Sequence, residues 1–399
     1  MTSGEQYMHR CLQLAQLGAG SVAPNPMVGA VLVYENRIIG EGYHQKYGEA
    51  HAEPNCIASV KEEDRHLIQQ STLFVSLEPC AHFGKTPPCA DLIIEKKIPR
   101  VVVGCRDPFF EVNGKGIEKL KAAGIEVESG VLEEECRELN KRFFTFHTLH
   151  RPYVILKWAQ TLDGKISPHL TSPNGGTHAQ SSLMQDANNN YSSISEVGEL
   201  LSPVEGVGGG RLLISNEHTN RLVHKWRAEE MSIAVGTNTA LFDDPELTTR
   251  LWPGKNPVRI VVDMDLRLPK SLKLFNSKTP TIVFNTKEHN LPREKISLKE
   301  LEEVGVGYYQ VTEDVSLVHQ MMNALYRMNI QSILVEGGSY LLQSFIDEAV
   351  WDEARIITNE QLLICAGLPA PILKGRILQS SEHLFSDVIR TYKNTNYNS

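Results

Sequence analysis

The chain has 399 residues, room for two or three domains at roughly 100–200 residues each. Hydrophobic residues make up 41% and charged residues 22%, the balance of an ordinary globular protein, and no apolar run is long enough to span a membrane. The net charge is −8; up to His150 there are 16 Lys+Arg against 20 Asp+Glu, so −4 falls in each part and neither has the basic field that binding a phosphate backbone requires.

In chain order, amphipathic text around residues 5–18 predicts a first helix. Residues 27–44, MVGAVLVYENRIIGEGYH, predict a β-hairpin turning at Glu35–Asn36. Further amphipathic stretches lie at 51–60 and 89–97. STLFVSLEPC reads as a strand ending in a functional turn, and RVVVGCRDP as a strand stopped by proline. GIEKLKAAGIEVESG reads as helix, glycine stop and strand. This alternation predicts a layered α/β domain. Pro152 opens a new strand, so the boundary is set near 148, giving domains 1–148 and 149–399. The second predicts strand 153–159, helix 218–228, strands 231–236, 258–263 and 280–284, helix 314–328, strand 332–336 and helix 339–347. Between them, 168–210 is rich in Ser, Asn and Gly. It predicts a mobile polar insertion, with a partly helical lid as the alternative. No internal repeat is visible, and the polar tail TYKNTNYNS carries no functional signal.

Seven cysteines, six of them before residue 137, and an N-terminus with no basic head or apolar block point to thiols or metal ligands rather than disulfides. His51-Ala52-Glu53 opens a helical stretch, Pro79-Cys80 follows a strand, and Cys89 closes PCAHFGKTPPC. One imidazole and two thiolates form a three-ligand Zn²⁺ set with the fourth position open to water, the arrangement of catalytic rather than structural zinc. Zinc lowers the pKa of such a water toward neutrality. Glu53 stands two residues past the ligand, where a carboxylate can move protons from water to a ring nitrogen and a leaving amine. H-x-E with P-C…C is the signature of zinc nucleobase deaminases. Against this stand a purely structural zinc site and His82 as a fourth ligand, which would leave Glu53 without a task.

In the second half the G-x-G-x-x-G signature is missing. The segment 206–211, GVGGGR, follows no strand. Ser332–Leu341, SILVEGGSYL, is better: a β-rich run meets two glycines and an apolar helix, so that backbone N–H groups could receive a pyrophosphate. A plain strand–helix turn is the competing reading.

The long PCxHxGxTPPC segment, together with Pro24-Asn25-Pro26-Met27-Val28-Gly29 and Gly42-Tyr43-His44, resembles the deaminase half of the bifunctional riboflavin-biosynthesis deaminase/reductases. Lys157-Trp158-Ala159, Thr161-Leu162-Asp163-Gly164-Lys165, Gly236-Thr237-Asn238-Thr239, Asp243-Asp244-Pro245-Glu246-Leu247 and Val335-Glu336-Gly337-Gly338 resemble its reductase half. The resemblance implies a cytidine-deaminase-like α/β/α domain followed by a dihydrofolate-reductase-like α/β domain. It also implies one Zn²⁺ on His51, Cys80 and Cys89, Glu53 as proton carrier, and Asn25 at the pyrimidine, with Lys85, His82 and His44 near the ribose phosphate. In the reductase half it implies NADPH along Ala159, Leu213, Thr239, Asp243 and the turn and helix start Gly338, Ser339, Tyr340, Leu341 and Leu342, running to Ser344. Lys157, Arg227, Leu247, Arg250 and Glu336 would face substrate. The two arginines are read as phosphate clamps or as solvated side chains, and Lys157 as a proton donor or as half of an ion pair. Leu213 falls where the family has an aromatic beside the nicotinamide, which puts Leu213 and Arg211 in doubt.

The implied activity is deamination of 2,5-diamino-6-(5-phosphoribosylamino)pyrimidin-4(3H)-one, then NADPH-dependent reduction of its ribosyl group to ribityl. A cytoplasmic homo-oligomer acting on a small phosphoribosyl pyrimidine is expected, with no nucleic-acid or membrane partner. The rival is a nucleic-acid or nucleotide deaminase whose C-terminal domain is degraded and non-catalytic; a basic face with aromatic platforms would mark it.

Overall fold

The computed structural model describes residues 2–84, 87–110, 112–167, 213–291 and 298–395. The expected insertion at 168–210, the glycine-rich decoy, Arg211 and Lys85 lie outside them. The chain divides into two compact units, 1–153 with 322–332, and 154–321 with 333–399.

In the first unit the elements are α1 (Ser3–Gln16), β1 (Gly29–Tyr34), β2 (Arg37–Tyr43), α2 (Ala52–Ala58), β3 (Thr72–Leu77), α3 (Cys89–Glu95), β4 (Arg100–Cys105), α4 (Lys115–Ala122), β5 (Glu126–Ser129), α5 (Glu133–Leu139) and α6 (Lys141–Leu149). Thr2 opens α1 with a capping box: its hydroxyl accepts from Glu5 N–H and Glu5 returns a bond to Thr2 N–H. The sheet order is β2-β1-β3-β4-β5, antiparallel across β2, β1 and β3 and parallel from β3 to β5. Along β1 successive residues serve opposite cores: Ala30 and Leu32 pack with Ala52, Cys56 and Ile93, whereas Val31 and Val33 pack with Met8, Cys11 and Phe144. Burial on both faces explains why these strands are continuous apolar runs. The result is three α/β/α layers, as the resemblance implied.

The second unit contains β6 (Tyr153–Thr161), β7 (Lys165–Ser167), α7 (Glu217–Glu229), β8 (Ser232–Gly236), α8 (Thr237–Asp243), β9 (Val258–Val262), β10 (Thr281–Asn285), α9 (Leu298–Val304), β11 (Val306–Gln310), the start of α10 (Leu317–Arg327, whose residues from Met322 onward fall in the first unit), β12 (Ser332–Gly337), α11 (Ser339–Asp347), β13 (Glu353–Asn359), β14 (Leu368–Pro369), β15 (Arg376–Leu384) and β16 (Asp387–Asn394). Nine strands make one sheet, ordered β11-β10-β9-β8-β12-β6-β13-β16-β15. Neighbours β8, β9, β10 and β11 run parallel, as do β8 with β12 and β6 with β13. β13–β16 and β16–β15 are antiparallel. The parallel strands β8, β9, β10 and β12 therefore end together at 236, 262, 285 and 337, the carboxyl edge where open α/β sheets receive ligands.

Several elements exceed the sequence-based expectation. α5, α6 and α8 have 7, 9 and 7 residues, too short for a periodic pattern to stand out. The tail residues Thr391-Tyr392-Lys393-Asn394 belong to β16, whose Asp387 and Asn394 are buried although polar. Composition marks such a segment as a loop; pairing on both sides with β13 and β15 makes it a strand.

Candidate active sites

The first site lies where the helices of one layer meet the ends of β2 and β3. His51 is the N-cap residue of α2, and Glu53 sits in that helix's first turn. Asn55 ties the helix back to the hairpin, donating from Nδ2 to Tyr43 O at 2.8 Å and to Ala50 O at 3.3 Å. Cys80 follows β3 and Cys89 begins α3, and Ala90 N–H donates to Cys80 O at 3.1 Å. His51, Cys80 and Cys89 thus converge, with ligand atoms within 4.8 Å of one another. Cys80 Sγ lies 3.7 Å and Cys89 Sγ 3.4 Å from His51 Nδ1. Zinc–sulfur bonds of about 2.3 Å and a zinc–nitrogen bond of about 2.0–2.1 Å at a tetrahedral angle place S and N about 3.6 Å apart. The three donors fit one tetrahedral Zn²⁺.

The electrostatics suit a cation. The hydrogen bond from Cys89 and the neighbouring His51 lower the Cys80 thiol to about 4. The same bond, with burial, pushes Cys89 up. His51 is raised by its bond to Cys80. Glu53 is buried, at 3% exposure, with its carboxyl against the Cys89 thiol, and burial raises its pKa. His44 is also buried, and burial lowers its pKa. Its Nδ1 pairs with Ala50 O at 3.0 Å and must donate there, so Nε2 accepts from Asn25 Nδ2 at 3.1 Å. The His44 ring meets His51 edge-on at 5.2 Å. Asn25 and the metal triangle are therefore linked through one neutral imidazole. The His82 ring lies 6.1 Å from Phe109, a neighbour the sequence did not suggest.

The second site gathers on the parallel sheet. Arg227 in the last turn of α7 donates to Glu336 of β12 through both Nε (2.8 Å) and Nη2 (2.7 Å). Lys157 Nζ of β6 stands 3.9 Å from the same carboxylate. Buried charges need partners. Arg227 is consequently not a solvated side chain: the two residues expected to face substrate separately are bound to each other. Arg227 Nη1 also donates to Thr248 O at 3.2 Å, and His224, one turn earlier, bonds the Thr248 backbone. His224 is buried and pushed down to about 4 by burial and then by the charges of Arg227 and Arg250; it too was missed from the sequence. Leu247 is buried at φ +53°, while Arg250 is exposed, with Glu246 3.9 Å away as an ion-pair contact.

At the strand–helix turn Gly338 has φ +81°, and the Thr239 side chain packs over Gly337 and Gly338. Ser339 donates to Pro369 O at 3.2 Å, and Tyr340 is 75% exposed. Leu341 and Leu342 are buried in the core, so only their backbones can meet a cofactor. Ala159 is half-buried in β6, Asp243 ends α8, and Leu213 is exposed. Asp163 is a loop anchor, accepting from Thr161 Oγ1 (2.5 Å), Ile364 N (3.3 Å) and Cys365 N (3.0 Å).

Residues 1–105 match the cytidine and deoxycytidylate deaminase zinc-binding region, and 152–363 match the RibD C-terminal domain. Riboflavin biosynthesis protein RibD of Aquifex aeolicus is 39% identical over 361 residues, covering 90% of this chain and 87% of its own. The chain belongs to the RibD family. The Bacillus amyloliquefaciens RibD is 33% identical over 94% of this chain and 89% of its own. A Thermotoga maritima crystal structure titled diaminohydroxyphosphoribosylaminopyrimidine deaminase/5-amino-6-(5-phosphoribosylamino)uracil reductase superposes with a TM-score of 0.78 at 34% identity, covering 98% of this chain and 99% of that one. Acinetobacter baumannii RibD superposes with a TM-score of 0.76 at 27% identity, covering 98% of each chain. The chain is accordingly a bifunctional enzyme of riboflavin biosynthesis, a zinc-dependent deaminase joined to an NADPH-dependent pyrimidine reductase. Fold class, family, paired activities and both cofactors agree with the sequence-based expectation. Among the described residues no helix is long and apolar enough to cross a membrane.

Proposed function

We propose that residues 1–148 deaminate 2,5-diamino-6-(5-phosphoribosylamino)pyrimidin-4(3H)-one and that residues 149–399 reduce the ribosyl group of the product to ribityl. The observation that carries the first step is the near-tetrahedral His51–Cys80–Cys89 triangle with Glu53 buried beside it. Those three residues would hold zinc, which when bound makes a water acidic enough to attack at neutral pH. Glu53 takes the proton from that water, and the burial that favours its protonated form lets it deliver the proton to the pyrimidine nitrogen and the departing ammonia. Water enters, ammonia leaves, and the amino carbon becomes a carbonyl. The Asn25 amide, oriented by His44, is placed to hydrogen-bond the base.

For the second step, NADPH supplies a hydride when bound. The Gly338–Ser344 turn and helix start, with Ala159, Leu213, Thr239 and Asp243, would line it. The first-turn N–H groups of α11 point to the same carboxyl edge, where the helix dipole favours a pyrophosphate. Lys157, Glu336 and Arg227 form a charged floor for the sugar hydroxyls, with Leu247 beside it. Arg250, the exposed arginine of the pair, is the better placed to bind phosphate as a guanidinium fork. A cytoplasmic homo-oligomer completes the reading, and the −8 net charge supports the absence of a nucleic-acid partner.

The test is incubation of the full chain with the diaminopyrimidine phosphate, with and without NADPH, followed by mass analysis. Amino-to-oxo exchange is expected without NADPH, and the further gain of two hydrogens only with it. A substrate left intact in both reactions would sink the reading.

A further inference from the structure

Glu78 follows β3 and precedes Pro79-Cys80, and the residue is 4% exposed. It accepts from four backbone N–H groups: Oε1 from Gly116 (2.9 Å) and Ile117 (3.3 Å), Oε2 from Gly114 (2.9 Å) and Asp107 (3.3 Å). Gly116 and Ile117 lie in the first turn of α4, where N–H groups have no partner within the helix. The residue in the capping position, Gly114, has φ +90° and no side chain to serve them. A Ser or Asp there is the ordinary solution and buries no charge. Here the cap comes instead from the turn that carries a metal ligand, with a buried carboxylate stabilised by N–H groups and the helix dipole. The contact is tight from the other side as well: a Cβ on Gly116 would stand 1.9 Å from Pro79 O. The first turn of α4 is thus pressed against the peptide that leads into Cys80.

We propose that Glu78 is a positioning residue for the metal. By capping α4 across the Pro79–Cys80 turn, it fixes Cys80 Sγ within the ligand triangle and slows zinc loss. This rests on the assignment of zinc to His51, Cys80 and Cys89. In Glu78→Gln an amide NH₂ replaces one acceptor oxygen and faces backbone donors, so half of the cap is lost. Gly116→Ala pushes the same contact apart from the helix side.

The test is zinc release from the full-length holoenzyme into a chromophoric chelator, well below the melting temperature. Both variants should release zinc about tenfold faster than wild type, the lower end of what groups acting on a metal through its ligands contribute. Leu120→Ala is the control, because Leu120 is buried on α4 but takes no part in the cap. It should lower the melting temperature and release zinc at the wild-type rate. Release from Glu78→Gln and Gly116→Ala at the wild-type rate overturns the proposal. So does an equal acceleration by Leu120→Ala, which would reduce Glu78 to general stability. If Glu78→Gln fails to fold, Gly116→Ala carries the test alone. A wild-type protein that holds no zinc defeats the metal assignment itself, a result separate from either.

Discussion

The two sites solve the problem of holding chemistry in place by different means. The proposed deaminase site is built from four side chains between residues 51 and 89, on elements whose ends meet at one edge of a five-stranded sheet. Its donor separations match the bond lengths to a small tetrahedral cation. The proposed reductase site draws Lys157, Arg227, Leu247 and Glu336 from four segments spread over 180 residues, and a buried ion pair sets its geometry. A metal site tolerates little displacement and leaves a short signature. A shaped cleft is assembled from backbone and paired charges, and leaves a diffuse one.

That contrast can be broken most sharply at Glu53. Glu53→Gln removes a proton carrier without removing a ligand, so deamination should fall by about 10²–10⁴-fold in steady-state assays. Bound zinc, measured by elemental analysis, should be unchanged, and so should reduction of pre-deaminated substrate. If the reductase fell in parallel, the two sites would not be separable.

On the other side, Glu336→Gln leaves Arg227 and Lys157 buried without their carboxylate. Breaking one partner of a buried pair costs about 3–5 kcal/mol, so the variant should lose reductase activity and unfold at markedly lower urea, with deamination and zinc content retained. Conservative replacement that keeps both activities and stability would show that the ion pair does not organise the site.

The same carboxylate carries a pH dependence. Burial alone would raise Glu336, but the charges of Arg227 and Lys157 outweigh it and hold its pKa below the ordinary carboxylate value. A depressed acid contributes stability that is fully present above the unfolded value, about 4.3, and is lost as pH falls through the folded one. Thermal melts should therefore show a steep acid limb below about pH 4.3 that Glu336→Gln flattens.

The smallest effect is expected at Gly338. Gly338→Ala forces a side chain into φ +81°, a strain of about 1–3 kcal/mol. The KM for NADPH should rise while deaminase kinetics stay the same; an unchanged KM would place the cofactor elsewhere.

The candidate His51–Cys80–Cys89 group with Glu53 was legible because a cation of fixed coordination demands particular residue types at short spacing, and a sequence displays both. The layered α/β order was legible because strands buried on both faces must be continuous apolar runs. The meeting of Arg227 with Glu336, 109 positions apart, was not. Nor was the shared attachment of His224 and Arg227 to Thr248, or the strand formed by the polar tail. Each depends on which segments the sheet brings side by side, and an arginine reads the same whether it awaits a phosphate or already holds a carboxylate. Glu78 shows the division within a single turn. The sequence by itself marked Cys80 as a candidate ligand, since thiolate chemistry belongs to the residue. Only the tertiary structure decided that the carboxylate two residues earlier caps a helix 36 positions away, because unpaired N–H groups acquire a partner only when the chain folds them together.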